Sequence, residues 1–509
     1  MGNDARNLAL VLTAILAGCA SSSADRPLRI GIRGSPSTGN HISALTYNAT
    51  FQAQTLIYET LVKRDAEGHI VPGLASSWEF ADGGRTVIFT LRPGARWHDG
   101  TPVTADDVRI HFKRWVGLPE FAWIHSSERI QSVVAESESR LRITMDRPHA
   151  LLPDLCAIRP CAIGGPGCLD REGTWVKPVG SGPFRFVELR EDGRVIRLER
   201  VRPPGTPTKP SDIIDLVPFD ADTGAEEEPF ALFSRGGLDV LIDGWKSRIP
   251  RNRIAELRRD PGLHLSEGPG SVLHYLSFQL KGPTADPILR RHVAAAMDRA
   301  AMIAAVEGGC ADPCFAWAAP TIAYWPKGQA TARPAEPLPP LSKPLLLLGM
   351  KSPYRPREET WSRSIVEALR RAGIPAEFTL KADDEYKRAV ESGEYDLRTE
   401  ITWGVPYDPD MSLKSRFLPA PFTRPTGASN RFFGVDPRAQ ALAERIATTP
   451  DEKDRIPLYA ELQGLLESET LLVPLYVPRR VAVVRGRNIA LQLDHDVYRD
   501  PMTVLTDQP

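Results

Sequence analysis

Residues 58–108 constrain the fold of this chain more than any other segment, because their local signals specify a strand, a turn and a helix in succession. Residues 86–91 are rich in β-branched and aromatic side chains, which predicts a β-strand. The strand is expected to end at Arg92-Pro93-Gly94, since proline has no amide proton for a neighbouring strand and glycine permits a turn. Thr104 then precedes Ala105-Asp106-Asp107, which predicts an N-cap and a helix whose acidic first turn suits the helix dipole.

Three short motifs in this segment resemble the signature of the family 5 extracellular solute-binding proteins, the peptide, nickel and opine receptors of ABC importers. The first is Tyr-Glu-Thr-Leu-Val at residues 58–62, and the second is Pro-Gly-Leu-Ala at residues 72–75 with Trp78. The third is His-Asp-Gly-Thr-Pro at residues 98–102, followed by Ala-Asp-Asp-Val at residues 105–108. Any one of them could arise by chance, but three in the family's order and spacing rarely would.

The resemblance implies an α/β protein with the two-lobed, periplasmic-binding-protein-like fold, of type II and cluster C style. In that fold the first lobe is discontinuous and a hinged cleft separates the lobes. The expected boundaries place lobe I, including an extra subdomain, at residues 27–270 and lobe II at residues 271–473. Residues 474–509 return to lobe I. Lobes joined in this way can close on a ligand by hinge motion.

Alternating strand and helix patterns continue along the chain. Strands are predicted at residues 213–219, 238–242, 274–279, 345–348, 375–380, 395–401 and 473–477. Helices are predicted at residues 226–234, 359–372, 383–392 and 451–468. A further helix is expected to begin with Asp286 as its N-cap and Pro287 at its first position, and Gly373 is expected to end the helix before it at the C′ position.

Length and composition indicate a globular protein with more than one lobe. The 509 residues exceed a single ordinary core, and 42% of them are hydrophobic and 25% charged. A net charge of −1 argues against a nucleic-acid partner, which would require a clustered basic excess. Beyond the N-terminal segment, no apolar run is long enough to span a bilayer.

The N-terminus has the pattern of a bacterial lipoprotein. Residues 8–16 are apolar and follow Arg6, and Leu16-Ala17-Gly18-Cys19 resembles a lipobox. This resemblance implies a signal peptide at residues 1–18, lipid attachment at Cys19 and a tether at residues 19–26. The mature protein is then expected outside the cytoplasm, in the periplasm or at the cell surface, anchored by lipid. The alternative is a plain secretory signal with a chance cysteine.

Five further cysteines would lie in an oxidising compartment, which permits disulfides. Cys310 with Cys314, and one pair among the remaining three, are the candidates. An odd number leaves at least one thiol free or paired elsewhere. The five cysteines are Cys156, Cys161, Cys168, Cys310 and Cys314. Their spacings match no zinc motif.

A second motif concerns the cargo. Thr-Trp-Gly-Val-Pro-Tyr-Asp-Pro at residues 402–409 resembles the nickel and opine receptors more closely than typical peptide receptors. The resemblance implies that Trp403 and Tyr407 face the cleft. Phe-Ala-Trp at residues 121–123, followed by Leu-Cys-Ala-Ile-Arg-Pro at residues 155–160, resembles the same receptors and implies that Trp123 also faces the cleft and that Arg159 binds a carboxylate. Tyr47, together with Thr50 and Phe51, is a further cleft candidate.

These residue types suit a small carboxylate-bearing ligand. A guanidinium offers a carboxylate two directional, charge-assisted hydrogen bonds, each worth about 1.5–3 kcal/mol. Indole and phenol rings add apolar contact and can hold a cation over their faces. The alternative is that Trp123 and Trp403 are core residues and that Arg159 is a surface charge.

Two differences from the nickel receptors argue against assigning nickel as the cargo of this protein. Those receptors carry a second arginine where this chain has Glu120, and a metal-contacting histidine after the tyrosine motif. Here no histidine occurs between Tyr407 and His495. Arg416 or Arg424 is instead expected to meet a second ligand carboxylate. No metal site of the protein is predicted, and a metal is expected only within a bound chelate.

A catalytic motif is not found. Gly180-Ser181-Gly182-Pro183-Phe184 lacks the complete nucleophile turn of a hydrolase and resembles a scaffold turn of the family. We therefore predict a non-enzymatic, monomeric binding lipoprotein without cofactor, which captures a metal chelate, an opine-type ligand or a peptide and delivers it to an ABC permease. A dipeptide- or oligopeptide-binding protein is the alternative, and a secreted hydrolase on the same scaffold is a more remote one.

Overall fold

The fold has two lobes, and three larger sheets are divided between them. The structure is a computed structural model and describes residues 26–33, 51–121, 124–168, 170, 176–191, 195–203, 205–207, 212–219, 227–243, 249–330, 332, 334–352, 355, 357–418, 436–486, 489–491, 493 and 506–507. At residues 51–52, 120, 158–159, 227–228, 489–490 and 506–507 it describes the backbone alone.

Lobe I contains a seven-stranded mixed sheet and a four-stranded antiparallel sheet. The first consists of β1 (Leu28–Arg33), β8 (Phe184–Arg190), β9 (Val195–Arg200), β10 (Ile213–Phe219), β11 (Val240–Ile242), β12 (Leu263–Gly268) and β19 (Arg480–Arg485), in the order β12-β19-β11-β1-β10-β9-β8. The second consists of β4 (Ala75–Ala81), β5 (Thr86–Leu91), β6 (Ile130–Ala135) and β7 (Arg140–Met145), in the order β4-β5-β7-β6. A hairpin of β2 (Val62–Arg64) and β3 (Ile70–Pro72) lies beside them.

Lobe II contains a six-stranded sheet. Its strands are β13 (His274–Phe278), β14 (Ala311–Pro313), β15 (Leu345–Met350), β16 (Ala376–Lys381), β17 (Leu397–Ile401) and β18 (Leu472–Pro478), in the order β14-β18-β13-β17-β15-β16. The last short pair is β20 (Ile489–Ala490) with β21 (Thr506–Asp507). Because β18 belongs to lobe II and β19 pairs with β11 and β12, the first lobe is discontinuous, as predicted.

The helices cover these sheets. Those of lobe I are α1 (Phe51–Ile57), α2 (Ala105–Phe112), α3 (Leu151–Leu155), α4 (Ile158–Cys161), α5 (Glu227–Ser234) and α6 (Ile254–Leu257). Those of lobe II are α7 (Pro287–Ala295), α8 (Arg299–Glu307), α9 (Glu358–Arg371), α10 (Asp383–Ser392), α11 (Asp410–Phe417), α12 (Pro437–Thr448) and α13 (Glu452–Ser468). Across the residues that the structure describes, none of the helices has both the length and the apolar character needed to cross a membrane.

The helix caps predicted from the sequence are confirmed. Thr104 accepts a hydrogen bond from the amide of Asp107, and the Asp107 side chain accepts one from the amide of Thr104. Asp286 caps α7, and Gly373 follows α9 with a φ of +80°, the left-handed conformation that favours glycine. The strand predicted at residues 238–242 begins later, at Val240, and the carboxylate of Asp239 just before it accepts hydrogen bonds from the Arg26 guanidinium and the Arg29 amide.

The candidate disulfides are wrong, since all five described cysteines are buried free thiols. Cys310 and Cys314 flank β14, and four residues of extended chain separate their Cα atoms by about 13 Å, whereas a disulfide requires less than about 7 Å. The other three thiols donate to backbone carbonyls, Cys156 to Leu152, Cys161 to Asp154 and Cys168 to Val179. These cysteines act as small core residues.

Candidate functional site

The segment that carries the second motif lies between the two lobes. Tyr407 and Met411 are buried in the hydrophobic core of lobe I, and Trp403 packs against that core. On the other side, Leu413 and Phe417 are buried in a core of lobe II. Residues 403–417 therefore form a seam, shared by both lobes, in which Tyr407 is only 2% exposed.

Trp403 is fixed to α11 by two hydrogen bonds. Its amide donates to Ser412 Oγ at 2.8 Å, and its indole Nε1 donates to Ser415 Oγ at 3.3 Å. The indole ring lies 5.8 Å from the ring of Tyr407 and is tilted by 57° to it. The indole remains partly exposed. Its position thus follows that of α11.

A buried carboxylate supports this loop. Asp408 accepts a hydrogen bond from the amide of Gly404 at 3.0 Å and another from the hydroxyl of Ser412. Burial raises the pKa of Asp408 to about 6. Gly404 has a φ of +78°, and an added Cβ there would lie 2.7 Å from Val272 Cγ2, so the loop requires glycine at this position.

Sheet topology places Trp403 at a position where ligands of α/β proteins commonly bind. In lobe II the parallel strand β15 lies between β16 and β17, so the connections that leave β15 and β17 diverge. Ligands of open α/β sheets bind at such a switch point, beyond the carboxyl ends of the strands. Trp403 follows β17 there, and Arg355 follows β15, with its Nη1 donating to Thr399 O at 3.2 Å. Arg355 was not among the predicted site residues, although its position after an apolar strand was a signal for this end of the sheet.

Arg416 is buried beside an acidic partner. Its Nε lies 4.0 Å from Glu400 Oε1, and Arg398 Nη2 lies 2.6 Å from the same oxygen. Burial alone would raise the pKa of Glu400, but Arg398 and Arg416 lower it to about 2. Two guanidinium groups thus share one carboxylate.

Two ion pairs cross the seam. Arg64 Nη2, from the β2–β3 hairpin of lobe I, lies 2.8 Å from Asp410 Oδ2, and neither side chain is exposed. Lys414 Nζ lies 2.7 Å from Asp154 Oδ1 on α3, and these side chains are 1% and 0% exposed. Although burial alone would raise the pKa of Asp154, the ammonium of Lys414 holds that pKa well below its usual range.

The helix that carries Arg159 is held by a neutral histidine. His111 Nε2 lies 2.8 Å from Pro160 O, and its Nδ1 accepts a bond from the amide of Gly164 at 3.4 Å. Burial lowers the pKa of His111 to about 4. A cavity of about 20 Å³ beside it, lined in part by Arg114 and Cys168, has room for one water rather than a solute.

The other predicted site residues lie outside the described residues or have only a described backbone. Tyr47, Thr50, Trp123, Arg424 and the lipidation residue Cys19 lie outside the described residues. Arg159 and Phe51 have a described backbone only, in α4 and α1. Of the predicted site residues with described side chains, Trp403 and Tyr407 lie against each other, and Arg416 lies on α11 beside Glu400.

The Gly180-Ser181-Gly182 turn is a scaffold element. A Cβ added to Gly180 would lie 1.8 Å from Ile57 O, and one added to Gly182 would lie 2.5 Å from Leu56 O. His98, the histidine beside the turn, binds the carbonyl of Gly182 through Nε2 at 2.9 Å. These backbone contacts explain the glycines of the motif without a nucleophilic serine.

Metal ligands are not grouped within the described part of the chain. No three histidine, cysteine, aspartate or glutamate side chains there could hold a metal ion together. The seam instead offers aromatic rings, hydroxyls and guanidinium groups. Such donors fit a ligand that carries its own anionic groups.

Comparison with known proteins supports one family. The family model described as bacterial extracellular solute-binding proteins, family 5, matches residues 69–423. The nickel-binding periplasmic protein of Escherichia coli (strain K12) is 25% identical over 455 residues, which cover 83% of this chain and 84% of that protein. The probable di/tripeptide-binding protein 5 of Pseudomonas aeruginosa (strain UCBPP-PA14) is 25% identical over 509 residues, 92% and 93% of the two chains.

A solved structure agrees with the fold. The ABC transporter substrate-binding protein from Sinorhizobium meliloti superposes with a TM-score of 0.79 at 21% identity. The match covers 95% of this chain and all of that one. At this identity the match shows the two-lobed fold alone.

Proposed function

The chain belongs to the family 5 bacterial extracellular solute-binding proteins, which serve ABC importers, and on that premise we propose that its cargo is a small carboxylate-bearing molecule. A metal chelate or an opine-type ligand is the leading class, and a short peptide is the second. The cargo would be captured in the cleft between the lobes and passed to a membrane permease. No bond of the cargo is made or broken.

The observation that carries this proposal is the composition of the seam. Trp403 supplies a partly exposed indole that packs near the buried ring of Tyr407, and Arg416 shares the carboxylate of Glu400 with Arg398 on the adjoining strand β17. An anionic group at such a site gains charge-assisted hydrogen bonds in surroundings from which water is partly excluded. Arg159 and Trp123 complete the proposed site from lobe I.

A peptide cargo has its own support. The di/tripeptide-binding relative covers more of this chain than the nickel-binding relative does, at the same identity. A peptide carboxylate would use the same guanidinium groups, so the seam alone favours neither class. Binding of a peptide probe by Arg159→Ala therefore tests the peptide alternative as well.

The proposed location and partners follow the family. We propose that the mature protein is extracytoplasmic and monomeric, and that lipid on Cys19 anchors it to a membrane surface. It would hand its cargo to an ABC permease in the cytoplasmic membrane. No cofactor is needed, and a metal would arrive only as part of a chelate.

Arg159 offers the sharpest test of the carboxylate. We expect Arg159→Ala to lower affinity for the bound carboxylate by at least about tenfold, because a charge-assisted hydrogen bond is worth about 1.5–3 kcal/mol. The probes are Met-Leu, octopine and the nickel–histidine complex, each followed by thermal shift and calorimetry. The melting temperature without probe should stay nearly unchanged.

The matched control is Arg147→Ala, an exposed arginine of the same lobe. It should bind every probe as the wild type does. Equal binding by Arg159→Ala and the wild type would remove Arg159 from the site. Native mass spectrometry of protein from its own host would weigh the cargo directly, and turnover of Met-Leu would replace the binding account with hydrolysis.

A further inference from the structure

The two ion pairs that cross the seam have opposite polarity. Lobe I supplies the cation to Asp410, through Arg64, and the anion to Lys414, through Asp154. Asp410 and Lys414 lie four residues apart on α11, so one face of this helix presents an acid and a base to lobe I one turn apart. A displacement of the helix by one turn would bring like charges together.

The charges of both ion pairs are buried and have further hydrogen-bond partners. Arg64 also donates to Pro406 O at 3.0 Å and to Gly68 O at 2.7 Å. Asp154 also accepts from the amide of Ser126 at 2.9 Å. A charge buried this deeply is costly unless its partner is present, so closure in any other register would leave charges uncompensated.

Apolar contact alone would not set this register. Met411 joins the lobe I core through apolar contacts, which are non-directional and tolerate sliding. Trp403, in contrast, is bonded to Ser412 and Ser415 of the same helix. The position of α11 against lobe I therefore decides where the indole is presented.

We propose that the ion pairs Arg64–Asp410 and Asp154–Lys414 are positioning pairs, which hold α11 against lobe I in one register and thereby assemble the two halves of the ligand site. The proposal rests on the proposed function only in treating this seam as the ligand site. The register itself depends on no particular cargo.

The Asp154–Lys414 pair gives the cleaner experiment, since Asp410 also contacts Tyr459 and Arg455 of its own lobe, at 2.7 Å and 3.6 Å. The ammonium of Lys414 contacts Asp154 and His149, both in lobe I. Small-angle X-ray scattering of purified protein measures the radius of gyration, and the wild type is expected to match the arrangement in which both ion pairs are formed.

Lys414→Met should lower the ratio of molecules joined at the seam to open molecules by about 100-fold and increase the radius of gyration, because the buried carboxylate of Asp154 loses its ammonium partner and keeps His149 and the amide of Ser126 beside it. The double variant Asp154→Asn with Lys414→Met removes both charges and should recover most of the compact form. The control is Arg197→Met, which breaks the Arg197–Asp215 pair within the seven-stranded sheet. It should lower the melting temperature without opening the lobes.

Several results would overturn the proposal. These are a wild type that is already open, a Lys414→Met variant as compact as the wild type, a double variant as open as the single one, and opening by the Arg197→Met control. If Arg159→Ala did not weaken probe binding, the proposed carboxylate site would be wrong, but the scattering result would still test the ion pairs. The two proposals can therefore be rejected independently.

Discussion

Trp403 owes its position to a short chain of hydrogen bonds that begins at a buried carboxylate. Asp408 accepts a hydrogen bond from the hydroxyl of Ser412, and the oxygen of that hydroxyl accepts a hydrogen bond from the amide of Trp403. A second bond from Gly404 keeps the loop close to the same carboxylate. One buried acid thus organises the loop that presents the indole.

This arrangement predicts a pH dependence of stability. Burial raises the pKa of Asp408 from 3.8 to about 6 in the folded protein. Between these values the folded protein holds a proton that the unfolded chain has released, so the contribution to stability is complete below pH 3.8 and is lost as pH rises through about 6. We expect Asp408→Asn to remove this loss, which amounts to roughly 2–3 kcal/mol.

Urea denaturation at pH 4.5 and pH 7.5 provides the measurement, with Asp408→Asn compared with the wild type at each pH. Asp384→Asn is the control, because the Asp384 side chain is 83% exposed, and it should keep the pH profile of the wild type. An Asp408→Asn profile parallel to that of the wild type would show that this carboxylate does not titrate as described.

At the scale of the elements, glycines fix how neighbouring segments approach one another. The amide of Gly182 donates to Ile57 O at 2.9 Å, and a Cβ added to Gly180 would lie 1.8 Å from the same oxygen. The amide of His98 donates to Gly180 O at 2.8 Å, so the turn joins the end of α1 to the segment around His98 through backbone contact. A side chain at Gly180 would separate the two.

We expect Gly180→Ala to destabilise the protein by about 3 kcal/mol, because its Cβ would lie 1.8 Å from Ile57 O and the backbone would have to move. Gly464→Ala is the matched control with the opposite sign. Gly464 lies inside α13 with no heavy atom within 4 Å of an added Cβ, so alanine should stabilise by up to about 1 kcal/mol. Chemical denaturation followed by circular dichroism measures both changes, and equal effects would contradict the close approach.

Local signals predicted the elements well, because a cap or a strand depends on residues a few positions apart. Thr104 and Asp107 are an example, and β5 has the predicted bounds Thr86–Leu91. The ion pairs of the seam were not predicted, since their members are separated by 346 residues for Arg64 and Asp410 and by 260 for Asp154 and Lys414. No local periodicity encodes such partners. The role of Trp403 came from family resemblance, and its contacts with α11 came only from the structure.

On the scale of the whole molecule, two crossings connect the lobes. One runs from β12 to β13 and the other from β18 to β19. They lie against each other, since a Cβ added to Gly270 would be 1.9 Å from Pro478 O. A pair of adjacent connections restricts relative motion of the lobes to a hinge, which suits capture and release of a solute.

The final prediction concerns metal as cargo. Because the described residues hold no group of histidine, cysteine, aspartate and glutamate side chains for a metal, we expect NiCl2 alone to leave the melting temperature unchanged. If the cargo is a chelate, the nickel–histidine complex should raise it, since a ligand at 100 times its Kd stabilises by about 2.7 kcal/mol. Free L-histidine is the control for the carboxylate alone. Tight calorimetric binding of the bare ion would mean that side chains of this protein coordinate nickel, and the cargo would then be the metal itself.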